Sequence, residues 1–376
     1  TVFRPAAGAL FLLVMLAVNI FVYYRKKPAI ESQLITMRYI SSLMLCVKRL
    51  LRLKTDGLKD YTARLAKLYA PLKKAGRAGT LLTGTGSDLD FLFEYFKLIL
   101  MLDFIVYSRV LSLIEHRGAE FREAYAIIGQ LDAAVSVVSY RRSLSYYCVP
   151  EFTGSESLEL EEMYHPLLKK PVPNSVTLRR SVLVTGSNAS GKSTFVKAVA
   201  VNAIFAQTIH TCLARSFRLK PSFVVTSMAV GDDIEAGESY YVAEVRSLRR
   251  MIARLSPETR CLCFIDEILR GTNTIERIAA SAAILDYLRS RNCLVLAATH
   301  DIELTEITAA YFDNYHFREH VSGRGIRFDY KIHEGWATTK NAIRLLEFME
   351  YDRSITSEAS MLAEGFEKSR SWERLP

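Results

Sequence analysis

Residues 186–194 read Gly-Ser-Asn-Ala-Ser-Gly-Lys-Ser-Thr, the spacing G-x-x-x-x-G-K-[ST]. Gly186 and Gly191 free the backbone to fold back, so that the N–H groups of Ser187, Asn188, Ala189 and Ser190 can face a chain of phosphates. Lys192 adds a point charge, the Ser193 hydroxyl can ligate Mg²⁺, and Thr194 opens the helix behind them. The β-branched run Ser181–Thr185 precedes this loop and the small-residue run Phe195–Ala206 follows it. Strand, loop and helix N-terminus in that order form an anion site. A Gly/Ser turn can match the spacing by chance, but the flanking elements and the partners below weigh against that. The expected ligand is a nucleoside triphosphate, ATP with Mg²⁺.

A second group lies 74 residues beyond Lys192, where the apolar run Cys261–Ile265 ends in Asp266-Glu267. A carboxylate at the end of a strand beside a phosphate loop can hold Mg²⁺, the expected role of Asp266. Glu267, one residue on, can orient and deprotonate an attacking water. Acids end many strands, so the pair gains its meaning from the loop upstream. A third apolar run, Leu294–Ala298, leads into Thr299-His300-Asp301. His300 can reach a γ-phosphate or the water, or stand at the surface while Asp301 caps the next helix.

These residues need a parallel α/β sheet to converge. Short apolar runs at Phe223–Ser227, Cys261–Ile265 and Leu294–Ala298 suit buried parallel strands, with helical segments expected at 239–255, 274–290 and 301–311. Upstream, residues 30–145 read as helical, with a loop at Gly76–Gly86, a cap at Ser87-Asp88 and helices over Leu89–Glu115 and Glu120–Leu144. Glu94, Lys97, Asp103 and Arg109 argue against the aromatic-rich 89–115 helix as a membrane span. Residues 146–180, with four prolines, read as an irregular boundary. The last stretch, 341–370, reads as helical and charged.

Ala6–Tyr24 holds 19 residues without a charge, with Asn19 its one strongly polar member. That is long enough for a span, with Tyr23 and Tyr24 at the interface and Arg25-Lys26-Lys27 on the cytoplasmic side. A signal peptide fits less well, since no small-x-small site follows. A buried helix is the other alternative. The chain carries 49 Lys/Arg against 40 Asp/Glu, and the stretch from Arg25 to Gly76 alone holds 13 against 3. That basic stretch suits either anionic lipid or nucleic-acid phosphate. The six cysteines make no C-x-x-C pair, and Cys261 and Cys263 read as buried thiols in a reducing compartment.

Taken together, the motifs resemble the MutS mismatch-repair family. Tyr164-His165-Pro166-Leu167-Leu168 precedes the first strand, and Thr185-Gly186-Ser187-Asn188 opens the loop. Gly231-Asp232-Asp233-Ile234, Glu238-Ser239-Tyr240-Tyr241, Asp266-Glu267-Ile268-x-Arg270-Gly271-Thr272 and Ala298-Thr299-His300 then follow in family order. The resemblance covers about 120–345 well and 30–120 loosely. It implies an ABC/MutS-like P-loop ATPase behind a helical core and lever. It also implies a homodimer through the ATPase domain, with Ser239 reaching the γ-phosphate of the other subunit and Glu244 on the same helix. Arg270–Thr274 is implied to lie at the dimer interface, His300 to act as a switch, and His333 to pack near adenine.

This chain departs from the pattern at Ser187 and Ser190, where the family has Pro and Gly, and at Lys170-Pro171-Val172, where an adenine-stacking aromatic is expected. Neither a mismatch-reading domain ahead of the helices nor a nuclease module behind them is expected. The tripeptides Phe121-Arg122-Glu123 and Phe317-Arg318-Glu319 have the form of the family's mismatch probe but lie in the wrong kind of domain. Mismatch detection is therefore not expected. The expected organisation is a membrane anchor at 1–28, a helical core and lever at 29–148, the ATPase at 149–345 and a helical tail at 346–376. The leading expectation is an ATPase anchored in the cell membrane through one span in this stretch of chain, with its catalytic domain in the cytoplasm, acting on DNA. An ABC-like ATPase driving a membrane process is the alternative, although it lacks a Leu-Ser-Gly-Gly-Gln signature. A nucleotide-binding scaffold is disfavoured by an intact Lys192, Asp266 and Glu267.

Overall fold

The computed structural model describes all residues except 1–4, 54, 81–89, 188–189, 229–239, 323–324, 337–341, 370 and 373–376. Its internal contacts divide the chain into two units, Thr1–Ser139 and Tyr140–Pro376.

The first unit is helical. Helix α1 runs over Pro5–Leu50, α2 over Lys59–Thr80, α3 over Asp90–Ile99 and α4 from Leu102 to Ser143. Leu34, Met37, Met44 and Val47 make a helical-period stripe along α1. The stripe packs on Leu65 and Leu72 of α2 and on Val106, Val110, Ala124 and Ile127 of α4. Three expectations change here. Helix α2 continues through Gly76 and Gly79, so the expected loop does not start there; Gly84, Gly86 and the Ser87-Asp88 cap lie outside the described residues. The expected 89–115 helix breaks at Leu100–Met101, where Met101 takes φ 48. The expected gap near residues 116–119 is a kink at Arg117 (φ −131, ψ 27) inside α4. Among the described residues one helix, Gly8–Leu50, is long and apolar enough to cross a membrane. Phe121 packs in the helical core and Glu123 pairs with Arg64 at 2.8 Å, so neither is displayed as a probe.

The second unit holds two sheets. The stretch expected to be irregular forms most of the smaller one. Strands β1 (Glu151–Phe152), β2 (Leu158–Met163) and β3 (Asn174–Leu178) join β5 (Ser216–Leu219) in the order β1-β5-β2-β3. The larger sheet takes β4 (Val182–Thr185), β6 (Phe223–Ser227), β7 (Cys261–Asp266), β8 (Cys293–Ala298), β9 (Asp313–Ser322) and β10 (Gly325–Glu334). Its order is β10-β9-β4-β8-β7-β6, parallel except for β10, which returns antiparallel to β9. Helices α5 (Lys192–Ile209), α6 (Tyr240–Ile252) and α7 (Thr274–Arg289) connect its strands. Helix α8 (Glu303–Ile307) is shorter than expected, and α9 (Ala342–Phe348) and α10 (Arg353–Ser369) close the chain. Strands β4, β7 and β8 are buried almost throughout, as parallel strands covered on both faces must be.

In this order β4 and β7 flank β8. The turns after all three therefore open at one edge of the sheet, where ligands of such sheets bind. Behind that edge, Arg141 donates from Nε to Thr211 Oγ1 at 2.8 Å and from Nη2 to the His210 carbonyl at 2.7 Å. A guanidinium on the last carbonyls of α5 complements the negative end of that helix.

Candidate functional site

The phosphate loop follows β4 through two glycines with positive φ. Gly186 has φ 139, and a Cβ there would stand 2.9 Å from the Phe317 carbonyl oxygen. Gly191, at φ 109, caps α5. The two serines that depart from the family pattern each close a hydrogen bond. Ser190 Oγ donates to the Ser187 carbonyl at 2.8 Å, and Ser187 Oγ donates to Glu319 Oε2 at 2.5 Å. Asn188 and Ala189 lie outside the described residues.

Lys192 is buried at the start of α5. Its ammonium donates to the carbonyls of Gly186 (2.8 Å) and Ser187 (3.1 Å) and lies 3.2 Å from His300 Nε2. Burial lowers its pKa to about 8, against the opposing pull of Glu267, Asp266 and Glu319. His300 Nε2 also lies 3.0 Å from Glu267 Oε1, and Arg270 Nη1 holds Glu267 Oε2 at 2.9 Å. The bond from His300, helped by Arg270, takes the Glu267 carboxyl down to about 2. Glu267 is thus ionised at any working pH. A carboxylate that acidic is better suited to orienting a water than to holding its proton.

The turn that carries Glu267 is strained: Glu267 and Leu269 take φ 62 and φ 56. Such conformations persist where surrounding structure enforces them. Here the Glu267 N–H donates to the Ala298 carbonyl at 3.0 Å. The Gly271 N–H donates to Glu244 Oε2 at 3.3 Å, and a Cβ on Gly271 would stand 2.9 Å from Tyr241 Cβ. Helix α6 and the Arg270–Thr274 loop are therefore locked together within one chain, with Glu244 buried at the join. Ser239, expected to act across a dimer, lies outside the described residues.

Asp266 fits a hard cation. Lys197 pairs with its Oδ2 at 3.2 Å, while Oδ1 is buried and meets no hydrogen-bond donor among the described residues. A bare carboxylate oxygen beside a phosphate loop has the donor chemistry that Mg²⁺ takes, and Ser193, on the cavity wall, adds a hydroxyl. Asp301 does not cap a helix with its side chain. Both of its oxygens receive Arg277 of α7, at 2.9 and 2.6 Å.

A cavity of about 420 Å³ opens beside the loop, running from Ser187 and Lys192–Thr194 to Leu168, Lys170, Val172 and Tyr330. Tyr330 was not singled out from the sequence. It lies at a register shift in β10, and its Cδ1 comes within 3.4 Å of a Cβ placed on Gly191. Buried Asn174 donates to the Tyr330 carbonyl at 3.0 Å and accepts from the Ile332 N–H at 2.8 Å, which holds the shift open. His333 is not among the residues that line the cavity. It pairs with Asp329 at 2.8 Å and packs its ring on His316. Phe317 is a core residue whose ring lies tilted against that of Phe195 at 5.8 Å between centroids.

Residues 182–367 match the family model of MutS domain V. That match and the curated relatives support the MutS family for this chain. The relatives include the DNA mismatch repair protein msh3 of Aspergillus fumigatus, 33% identical over 250 residues, covering 61% of this chain and 22% of that protein. MutS protein homolog 4 of Homo sapiens is 33% identical over 232 residues, covering 57% of this chain and 24% of its own length. The msh3 protein of Aspergillus niger is 33% identical over 236 residues, covering 58% and 21%. The chain thus spans under a quarter of the length of these relatives. MutS domain V is a P-loop ATPase of α/β fold, which is the architecture of the larger sheet and its loop.

Proposed function

We propose that this chain is a MutS-type ATP hydrolase that closes on a second copy around ATP and works on DNA from a membrane anchor. The observation that carries the reading is the relay Lys192–His300–Glu267–Arg270, assembled from the turns after three strands around one phosphate loop. Lys192 here spends its protons on the Gly186 and Ser187 carbonyls, beside the His300 ring that donates to Glu267. Triphosphate offers it stronger acceptors, and its move would release His300 and Glu267 toward the γ-phosphate. Asp266 and Ser193 would hold Mg²⁺, which when bound would neutralise charge on the transferred phosphoryl group. Glu267 orients the water. Ser239 of the second copy completes the site, and the opening that follows hydrolysis passes to the helices of the first unit.

Tyr330 takes the nucleobase in this reading, in place of His333. Tyr330→Ala is expected to weaken ATP binding by roughly 3- to 10-fold, the worth of one aromatic stack. Binding of inorganic tripolyphosphate, which has no base, should stay at the wild-type level. Equal loss for both ligands would remove Tyr330 from base recognition.

The DNA assignment draws on the basic stretch 25–76 and on relatives named for mismatch repair. Its test is the ATPase rate of the full chain in nanodiscs, with and without duplex or branched DNA. Stimulation that fades as salt rises is expected, since phosphate contacts release counterions. A rate that responds to anionic lipid and ignores DNA would favour the second reading, an ATPase driving a membrane process. That reading draws on the exposed apolar face of α1 and the Arg25-Lys26-Lys27 cluster beside it.

A further inference from the structure

Asn19 is the one strongly polar residue in the apolar run of α1, and its side chain is used. Its Nδ2 donates to the carbonyl of Ile99 at 3.1 Å. That carbonyl ends α3, because the helical path breaks at Leu100–Met101. One turn along, Tyr23 Oη donates to Asp103 at 2.6 Å, and Lys27 donates to Tyr23 Oη at 2.8 Å and lies 3.8 Å from the same carboxylate. The pairs 19 with 99 and 23 with 103 share one offset, so the start of α4 runs parallel to α1. The elbow between α3 and α4 therefore lies beside the apolar run and not beyond it.

The outer face of this elbow is apolar. Phe96 and Leu100 are 59% and 54% exposed, and Ile99 and Ile105 are exposed with them. Helix α1 exposes Leu10–Val14 and Phe21 in the same unit. Of the four charges that spoke against a membrane role for this stretch, Lys97 is buried, Asp103 is buried against Tyr23 and Lys27, and the Glu94 side chain lies outside the described residues. Exposed Arg109 lies six residues past Asp103, near the level of Arg25-Lys26-Lys27 on α1. In hydrocarbon, a broken helix is tolerated only where protein satisfies the freed backbone groups, and acids there are paired. Asn19 and the Tyr23–Lys27 pair meet both conditions.

We propose that the α3–α4 elbow is a second membrane-inserting element, lying in the acyl layer of an anionic bilayer beside α1, with Arg109 and Arg25–Lys27 at the head groups. Helix α3 has 10 residues. At about 1.5 Å each they cover roughly half of a 30 Å hydrocarbon core, so α3 enters without crossing. The proposal rests on reading α1 as an anchor.

The test uses the full chain with Trp336 and Trp372 replaced by Phe, reconstituted in phosphatidylcholine–phosphatidylserine vesicles whose acyl chains carry bromine. Single tryptophans are introduced by Phe96→Trp, Leu100→Trp, Leu13→Trp in α1, and Val135→Trp on an exposed part of α4. Quenching by about twofold or more is expected at 96, 100 and 13 and none at 135, following their depth in the hydrocarbon. Quenching at 13 but not at 96 and 100 would overturn the elbow's insertion, leave the anchor standing and assign the face to protein, such as a second copy. No quenching at 13 would overturn the anchor and the elbow with it. Equal quenching at 135 would overturn the specific placement.

Discussion

Glu267→Gln is expected to bind ATP as tightly as the wild-type chain and to turn it over about 10²–10⁴-fold more slowly, the range for loss of a positioned acid–base group. The amide keeps the shape of the side chain and can still meet Arg270 or His300 through its oxygen. What disappears is the negative charge that aligns a water for in-line attack. Because His300 and Arg270 hold the carboxyl down to about 2, the wild-type group is fully charged throughout the neutral range. The defect should therefore be the same at pH 6 and pH 9. Trapped ATP should also hold the dimer closed, visible as a stable dimer in sedimentation with ATP present. Wild-type turnover by this variant would remove Glu267 from the chemistry.

Lys192→Ala is expected to weaken ATP binding by about 10²-fold, the scale of one or two charge-assisted hydrogen bonds to phosphate. Its melting temperature without nucleotide should stay near wild type, because burial already disfavours the charged ammonium and offsets its bonds to the loop carbonyls. The same burial sets a pH dependence. Free Lys192 titrates near pH 8, depressed from the usual 10.5. Bound triphosphate favours the protonated form and raises that value. ATP affinity should be flat below about pH 8 and fall by up to tenfold per pH unit above it, with proton uptake on binding. Isothermal titration in buffers of different ionisation enthalpy reads that uptake directly. Affinity that stays flat to pH 10 would mean that Lys192 does not meet the phosphates.

The chemistry of this chain is concentrated in contiguous motifs, which is why so much of the site can be read from the sequence. The loop at 186–194, the strand ending in Asp266-Glu267 and the strand ending at His300 each carry their own structural context. What stayed hidden depends on contacts between distant segments. Tyr330 reaches the cavity because Asn174, on another strand, fixes a register shift in β10. Glu319 meets the loop only because β9 pairs with β4. The small sheet was obscured by the prolines around it, although Leu158-Glu159-Leu160 alternates as a half-buried strand does. The break at Met101 has no glycine or proline to announce it, and the Ile99 carbonyl before it is satisfied by Asn19, 80 residues away on α1. The kink at Arg117 replaced an expected gap because the helical pattern resumes at once.

The central claim is that two copies share each ATP, one supplying Lys192 and Glu267 and the other Ser239. The most direct test mixes two variants, Lys192→Ala and Ser239→Ala, each expected to be inactive alone. In a mixed two-fold dimer one of the two sites is whole, so random pairing should restore about a quarter of wild-type turnover. Recovery near that level supports a shared site. A Ser239→Ala chain that is active alone, or a mixture that stays inactive, would contradict it.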